Sequence, residues 1–232
     1  MGKIQKIFDY NNKIMRNKSP LKNTSCYLTN LILSIGIFLS LIIYPVIFVS
    51  QNSLFYQYHL SNNENISLIE LDDALRTSKR ITGFLQTAKN LPVEKMTERA
   101  VIHMLDVKDI YQRAIALPII ILIFGLLLSI SVGTKISSKS ILAASLSALA
   151  FYTILAVSGD KLFRFLFINF HFLLYTNDLW MLDANDLLIK LYPEYFFSRL
   201  FTISGSITII AAVITIVVLI TIKKYANRFS NR

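Results

Sequence analysis

The sequence predicts an all-α integral membrane protein with four transmembrane helices and two extracytoplasmic loops that carry short amphipathic or interfacial helices. Three observations predict this class. Of the 232 residues, 54% are hydrophobic and only 16% are charged, whereas a soluble domain carries about a quarter charged residues. The mean hydropathy is +0.53. Four segments, residues 28–49, 114–133, 140–158 and 203–222, contain no charged residue, and roughly 20 apolar residues are enough to cross a bilayer.

The basic residues predict the orientation of these helices. The formal net charge is +10, and a four-span topology places three basic clusters on one side: Lys3, Lys6, Lys13, Arg16, Lys18 and Lys22; Lys135 and Lys139; and Lys223, Lys224, Arg228 and Arg232. Lysine and arginine mark the cytoplasmic side. We therefore expect cytoplasmic termini and external loops at 50–113 and 159–202. Topology and anionic lipid explain the charge, so no nucleic-acid partner is predicted.

The first half of the chain begins with a basic leader, residues 1–27, and continues into a first span that we expect to be retained. The span exceeds a signal-peptide core and lacks a small-residue cleavage site. In the first external loop, residues 51–65 show no clear period. Apolar residues at helical spacing then predict an amphipathic helix over 71–88. Thr97 is a suitable N-cap for a further helix that leads into the second span.

The second half of the chain contains small residues, aromatic residues and further caps. The third span, 140–158, is rich in alanine and serine, which favours close helix packing and a central place in the bundle. Residues 162–175 are apolar and aromatic but too short to span a bilayer, so they predict an interfacial element. Asp183 is positioned to cap a short helix over 184–191, which Pro193 would end. The chain forms a single membrane domain over residues 1–232.

The candidate chemistry centres on two of the three histidines. His103 and Asp106 are three residues apart, so on a helix they share a face and the carboxylate can hold the imidazole in one tautomer. A solvated helix face is the alternative interpretation of this pair. His171 lies between Phe170 and Phe172, where catalysis and anchoring at the membrane interface are both open. His59 has no nearby carboxylate and is interpreted as structural.

Several kinds of site have no support in the sequence. The single cysteine, Cys26, excludes an intramolecular disulfide and a cysteine-rich zinc site. Zinc catalysis usually takes three protein ligands, and the chain has no His-Glu-x-x-His motif, no Gly-x-Ser-x-Gly elbow and no glycine-rich phosphate loop. We predict no metal and no cofactor. An enzyme of this kind would take its nucleophile from the substrate and use histidine as a general base.

Two external motifs resemble those of a known family. The segment His-Met-Leu-Asp-Val at 103–107, with Glu98 upstream, resembles the His-Met-x-Asp-Val motif of the lipoprotein intramolecular transacylases of low-GC Gram-positive bacteria. The second loop is similar as well, with Phe-His at 170–171, Asn-Asp-x-Trp-x-x-Asp at 177–183, Leu-Ile at 188–189 and Pro-Glu-x-Phe-Phe at 193–197. Four spans with both termini inside agree with the family. The resemblance covers nearly the whole chain, apart from the leader and residues 51–65.

The resemblance implies a reaction at the outer leaflet of the bacterial cell membrane. The substrate would be a diacylglyceryl-modified lipoprotein with a free α-amine on its N-terminal cysteine, and the sn-2 acyl chain would move to that amine to give a lyso-form lipoprotein. Membrane phospholipid would be the other partner. The sequence predicts no oligomeric state, and a monomer would suffice. A membrane hydrolase that releases a fatty acid and a non-catalytic scaffold are the alternatives.

The resemblance also implies roles for individual residues. His103 and His171 would be catalytic, one removing the amine proton and the other polarising the carbonyl or protonating the leaving glyceryl oxygen, with the two roles unassigned. Asp106 would orient His103. The residues expected to bind substrate and shape the polar part of the pocket are Glu98, Asn177, Asp178 and Trp180.

Overall fold

The structure is a computed structural model that describes residues 2–67, 70–87 and 89–230, and side chains from residue 23 onward except those of residues 158, 160, 229 and 230. Its α-helices are α1 (Gly2–Ser50), α2 (Ser53–Ser61), α3 (Leu71–Gln86), α4 (Glu98–Val132), α5 (Ser138–Leu174), α6 (Leu187–Leu191) and α7 (Glu194–Ser230), with one 3₁₀ turn at Val93–Lys95. The described residues form no β-strand. Four of the helices, α1, α4, α5 and α7, are long and apolar enough to cross a membrane. The predicted fold class is therefore confirmed.

Helix α1 is the centre of the membrane bundle, because it packs against each of α4, α5 and α7. The third span, which the sequence predicts to be central, packs mainly against α1 and α7, and its apolar segment is the most buried of the four. Glycine allows α1 and α4 to approach closely, since a Cβ on Gly36 would lie 2.8 Å from the Leu122 side chain and a Cβ on Gly125 would lie 2.8 Å from Leu33. Small residues commonly line helix interfaces in lipid for this reason.

The two external loops share one small hydrophobic core. Its buried residues come from α2, α3, the loop after α3, the first turns of α4, and α6: Leu60, Ala74, Ile81, Phe84, Leu91, Ala100, Met104, Leu188 and Leu191. The predicted amphipathic helix of the first loop is α3, and its apolar face is the one that enters this core. The core fixes the outer end of α4 against the second loop.

Helix α4 joins the external core to the membrane without a break. Thr97 caps it as predicted, since the Thr97 hydroxyl accepts a hydrogen bond from the Ala100 N–H at 3.2 Å. The helix continues through Pro118 and ends before Gly133, whose φ of 66° is a left-handed conformation that favours glycine. Side chains in the first turns of α4 are therefore held rigidly above the second span.

Helix α5 changes direction at Gly159, where φ is 64° and ψ is −164°. Residues 160–174 form a second helical piece, here called the α5 arm. The arm packs on the beginning of α7 through aromatic pairs, with ring centroids 5.9 Å apart for Phe163 and Phe201 and 5.1 Å apart for Phe167 and Phe197. The short apolar element predicted over 162–175 is thus a helix that continues a span.

Two local expectations differ from the structure. The predicted cap at Asp183 was wrong: Asp186 caps the shorter helix α6, and its carboxylate accepts a hydrogen bond from the Leu188 N–H at 2.9 Å. Within residues 51–65, where the sequence shows no period, the chain forms α2. Its apolar contacts lie on more than one side, because Phe55 meets Phe196 of α7 and Leu60 enters the external core.

Candidate active site

The structure brings His103 and His171 together around a third side chain, Tyr175. His103 lies in the second turn of α4, and His171 lies in the last turn of the α5 arm. The Tyr175 ring centroid is 5.2 Å from that of His103 and 5.6 Å from that of His171. The two imidazoles are close enough for a charge on one to oppose a charge on the other. Tyr175 follows the arm directly, and its N–H donates to the His171 carbonyl at 2.9 Å.

His171 is held in one tautomer by its own helix. Its Nδ1 lies 2.6 Å from the carbonyl oxygen of Phe167, and a carbonyl only accepts, so Nδ1 carries the proton. Nε2 is left as the basic nitrogen. The ring packs against Phe167 and Trp180, with centroids 4.5 and 4.8 Å away. Burial lowers the pKa of His171, although the Phe167 carbonyl acts in the opposite direction. The imidazole is therefore neutral and basic near pH 7.

His103 is more deeply enclosed, with 8% of its surface exposed. Its Nδ1 is buried and has no hydrogen-bond partner in the described part of the chain. The Asp106 carboxylate, expected to hold this imidazole, instead accepts a hydrogen bond from Asn177 Nδ2 at 3.0 Å. Burial lowers the pKa of His103 to about 4, with a further lowering from the His171 charge, and the Asp106 charge acts in the opposite direction. An orienting role of Asp106 stays a prediction.

The loop between Tyr175 and α6 is fastened to α4 at two points. One is the bond between Asn177 and Asp106. The other is an ion pair at 3.1 Å between the Arg99 guanidinium and the Asp178 carboxylate, and the same guanidinium donates to the Asp178 carbonyl. These contacts place the Trp180 ring beside His171. Of the predicted substrate-binding residues, Trp180 thus packs on His171, Asn177 bonds to Asp106, and Asp178 pairs with Arg99.

Glu98 is the predicted site residue with the least support. Its side chain is exposed in the first turn of α4, where its charge complements the helix dipole. It makes no hydrogen bond or ion pair with the residues that the structure describes. Its role in substrate binding stays a prediction.

Sequence reasoning missed three contributors to the site. Tyr175 ends an aromatic run and has no motif of its own, although its position four residues after His171 was a usable signal. Arg99 carried no motif either. The Thr97 hydroxyl donates to the buried Asp186 carboxylate at 2.6 Å, a contact between distant segments that no local pattern indicates.

The local electrostatics keep the His171 imidazole and the Tyr175 phenol uncharged at neutral pH. Burial, with a smaller contribution from the Asp106 charge, raises the pKa of Tyr175 to about 12, so this phenol stays protonated at neutral pH and can donate a hydrogen bond. A neutral base at His171 and a phenol donor at Tyr175 then lie side by side, with ring centroids 5.6 Å apart. The described residues contain no group of three or more metal-ligating side chains. This arrangement can move protons during acyl transfer to an amine that the substrate supplies.

The comparisons with known proteins concern the family and the fold. The family model of the lipoprotein intramolecular transacylase Lit matches residues 29–197. A solved structure of the membrane-integral lipoprotein intramolecular transacylase Lit from Bacillus cereus has a TM-score of 0.70 and 22% identity, covering 88% of this chain and 99% of that chain. A variant of that protein with one histidine changed to arginine has a TM-score of 0.69 and 21% identity, covering 93% and 99%.

At these identities the solved structures show a common fold. No curated protein sequence matches the chain. The family model, however, matches well over half of the sequence, including both histidines and the loop that holds Trp180. The chain therefore belongs to the lipoprotein intramolecular transacylase family.

Proposed function

We propose that this transacylase moves the sn-2 acyl chain of a diacylglyceryl lipoprotein to the α-amine of the N-terminal cysteine, with His103 and His171 as its catalytic residues. Intramolecular acyl transfer is the activity of the family. The observation that carries the residue assignment is the meeting of the two imidazoles at Tyr175, from helices that are separate in sequence. Neither histidine has a carboxylate partner that would commit it to a purely structural ion pair among the described residues.

The proposed reaction begins with proton removal from the substrate. An α-amine has an ordinary pKa of about 7.7 to 8.0 and histidine about 6.5, so proton exchange between them is feasible near neutral pH. His171 receives one proton from the α-ammonium at Nε2, the nitrogen that its bond to Phe167 leaves free. The neutral amine then attacks the ester carbonyl, and a C–N bond forms as the carbonyl becomes a tetrahedral oxyanion.

Collapse of this intermediate breaks the bond between the carbonyl carbon and the glyceryl oxygen. His103 takes the second proton from nitrogen while His171 returns its proton to the glyceryl oxygen. Two adjacent imidazolium ions would repel each other, so the proton arrives at His103 as the other leaves His171. The products are an N-acyl amide and a free glyceryl hydroxyl, and His103 later releases one proton to solvent. All bonds and protons balance without an enzyme nucleophile.

The remaining residues position the substrate in this proposal. The Tyr175 phenol donates a hydrogen bond to the developing oxyanion, the type of contact that contributes most strongly in acyl transfer. Asn177, Asp178 and Trp180 form the polar wall beside His171, and Glu98 is available to attract the α-ammonium. Asp106 stabilises positive charge on His103 through its field.

We place the active site at the extracytoplasmic face. The basic clusters lie at the opposite ends of the spanning helices from His103 and His171, as expected if that side is cytoplasmic. Membrane phospholipid surrounds the bundle in this arrangement. The spans expose large apolar side chains to this lipid. Examples are Ile120, Phe124 and Ile214, with exposed fractions of 62%, 57% and 57%.

The test is tandem mass spectrometry on a diacylglyceryl lipopeptide incubated with the purified protein. Intramolecular transfer is an isomerisation, so the parent mass stays constant while the fragments place one acyl chain on the amine. Loss of a fatty acid would identify a hydrolase instead. Neither change, with folded protein and a suitable peptide, would contradict the proposal.

Three variants test the residue assignment. His103→Ala and His171→Ala should each abolish formation of the N-acyl product while the protein remains folded by size-exclusion and thermal melting. His59→Gln is the matched control, because it removes a buried imidazole that does not contact Tyr175. It should lower stability but keep turnover per folded molecule, whereas near-normal activity in either alanine variant would refute the assignment.

A further inference from the structure

Arg199 forms a second polar site that shares no residue with the histidine pair. It lies near the beginning of α7, and its guanidinium carbon is 5.6 Å from the centroid of the Tyr58 ring and 5.3 Å from that of Tyr195. Tyr58 belongs to α2, so two helices place aromatic rings against one cation. Such contacts hold a guanidinium in a defined plane.

No described carboxylate forms an ion pair with this guanidinium. The Nη1 atom of Arg199 is buried and has no hydrogen-bond partner among the described residues. Five other described arginines in the external part each pair with a carboxylate: Arg76, Arg80, Arg99, Arg113 and Arg164. Arg199 forms no such pair with any described residue. A half-buried charge without a counter-ion is unfavourable, which points to a partner outside the chain.

The groups around Arg199 do not neutralise it either. His59 is fully buried, and its Nε2 donates to the Leu191 carbonyl at 3.1 Å. Burial lowers the pKa of His59 to about 4, with a smaller lowering from the Arg199 charge and an opposing effect of the Leu191 carbonyl. This imidazole is therefore neutral. Burial raises the pKa of Tyr195, and the Glu64 charge raises it further. Glu64 nevertheless makes no ion pair with Arg199.

The position of Arg199 along α7 indicates which anion is available. The uncharged segment of α7 begins at residue 203, only four residues further on, or about 6 Å along the helix axis. Tyr58 and Tyr195 are 57% and 37% exposed, and tyrosine favours the headgroup zone of a membrane. Phospholipid phosphates lie at this height, and arginine binds phosphate through charge-assisted, often bidentate hydrogen bonds.

We propose that Arg199, held between Tyr58 and Tyr195, binds a phosphate group, and that the phosphate is the headgroup of an outer-leaflet phospholipid. The two rings keep the guanidinium plane fixed, and the part of Arg199 that is still exposed meets the phosphate oxygens. The site anchors the outer end of α7 and the adjoining α2 at the membrane surface. This inference does not depend on the proposed catalytic roles, because binding is measured without a lipoprotein.

The experiment measures binding of phosphatidylglycerol to the full-length protein in a phosphate-free maltoside detergent, by the shift in melting temperature and by retention of the lipid in native mass spectrometry. The wild type should bind saturably. Arg199→Gln should weaken binding at least tenfold, because a charge-assisted hydrogen bond is lost. Arg113→Gln is the matched control, since it removes an external arginine that has its own carboxylate partner, and it should leave the affinity unchanged.

Two further arms identify the source of the phosphate. Diacylglycerol with the same acyl chains lacks phosphate and should give no Arg199-dependent shift. Inorganic phosphate at the same concentration should bind much more weakly, and equal binding would overturn the assignment to a lipid. Equal phosphatidylglycerol binding by the wild type and Arg199→Gln would also overturn the proposal. If that variant does not fold, Tyr58→Leu decides, since an unchanged affinity after loss of the stacking ring would refute the site.

Discussion

The Thr97 hydroxyl connects the two helix beginnings that frame the histidine pair, and its removal gives a quantitative test of the fold. It accepts a hydrogen bond from the Ala100 N–H at 3.2 Å, which caps α4, and donates to the Asp186 carboxylate at 2.6 Å. Asp186 in turn caps α6 through the Leu188 N–H at 2.9 Å and is buried, with 6% exposed. Thr97→Val keeps the shape of the side chain and deletes both bonds.

The expected loss of stability follows from these two contacts. An N-cap contributes about 1 kcal/mol, and a hydrogen bond to a charged group about 1.5 to 3 kcal/mol. The sum is about 2.5 to 4 kcal/mol. Thr97 itself is exposed, so water can replace part of the bond to Asp186, and we expect a loss of about 2 kcal/mol. For a chain of this size that corresponds to roughly 4 to 8 °C in melting temperature.

The assay is thermal melting of the purified variant in detergent, with hydrogen exchange to locate the change. Exchange should increase in the first turn of α4 and in α6, and turnover should fall because His103 lies in the next turn. Thr153→Val is the matched control, since that exposed hydroxyl donates only to Leu149 of its own helix at 2.8 Å. It should melt within about 2 °C of the wild type. A Thr97→Val protein that melts with the control would refute the reasoning.

Three further predictions concern the site. Tyr175→Phe keeps the ring contacts and removes the phenol, so kcat should fall at least tenfold with little change in KM; an unchanged kcat would exclude an oxyanion contact. Burial lowers the pKa of His171 below its unfolded value of about 6.5, so the unfolded chain binds more protons as the pH falls through that value and stability declines. A melting series from pH 7.5 to 5 should therefore show a shallower decline for His171→Asn, and parallel curves would contradict the shift. Arg99→Gln breaks the ion pair with Asp178, so hydrogen exchange over 176–183 should rise and activity should fall several-fold, whereas unchanged exchange would show that the loop does not depend on this pair.

The sequence predicts the membrane architecture well because bilayer crossing depends on local composition. Uncharged runs of sufficient length specify the four spanning helices, and Thr97 is a recognisable cap because its side chain bonds within its own first turn. Asp183 and Asp186 are equally good caps by composition. The distant hydroxyl of Thr97 favours Asp186, and a contact across the fold is not visible in a local pattern.

The site was predictable in its residue types more than in its contacts. His103 and His171 were identified as a pair, and the structure brings them together. The partner of Asp106 was expected to be His103 because the two are three residues apart on a helix, yet the carboxylate bonds to Asn177 instead. Tyr175 was missed because its role depends on where the α5 arm ends relative to α4, which is a matter of tertiary geometry.

The direction of the α5 arm depends on a backbone conformation at Gly159 that L-amino acids avoid. Its φ of 64° and ψ of −164° lie in a region that is essentially restricted to glycine, and no described atom lies within 4 Å of the place that a Cβ would take there. An L side chain would thus have room at this position, but it would strain the backbone. The mirror image of this conformation is the ordinary polyproline II region, so a D-alanine at this position would fit. The placement of His171 opposite His103 therefore depends on one α-carbon that has no handedness.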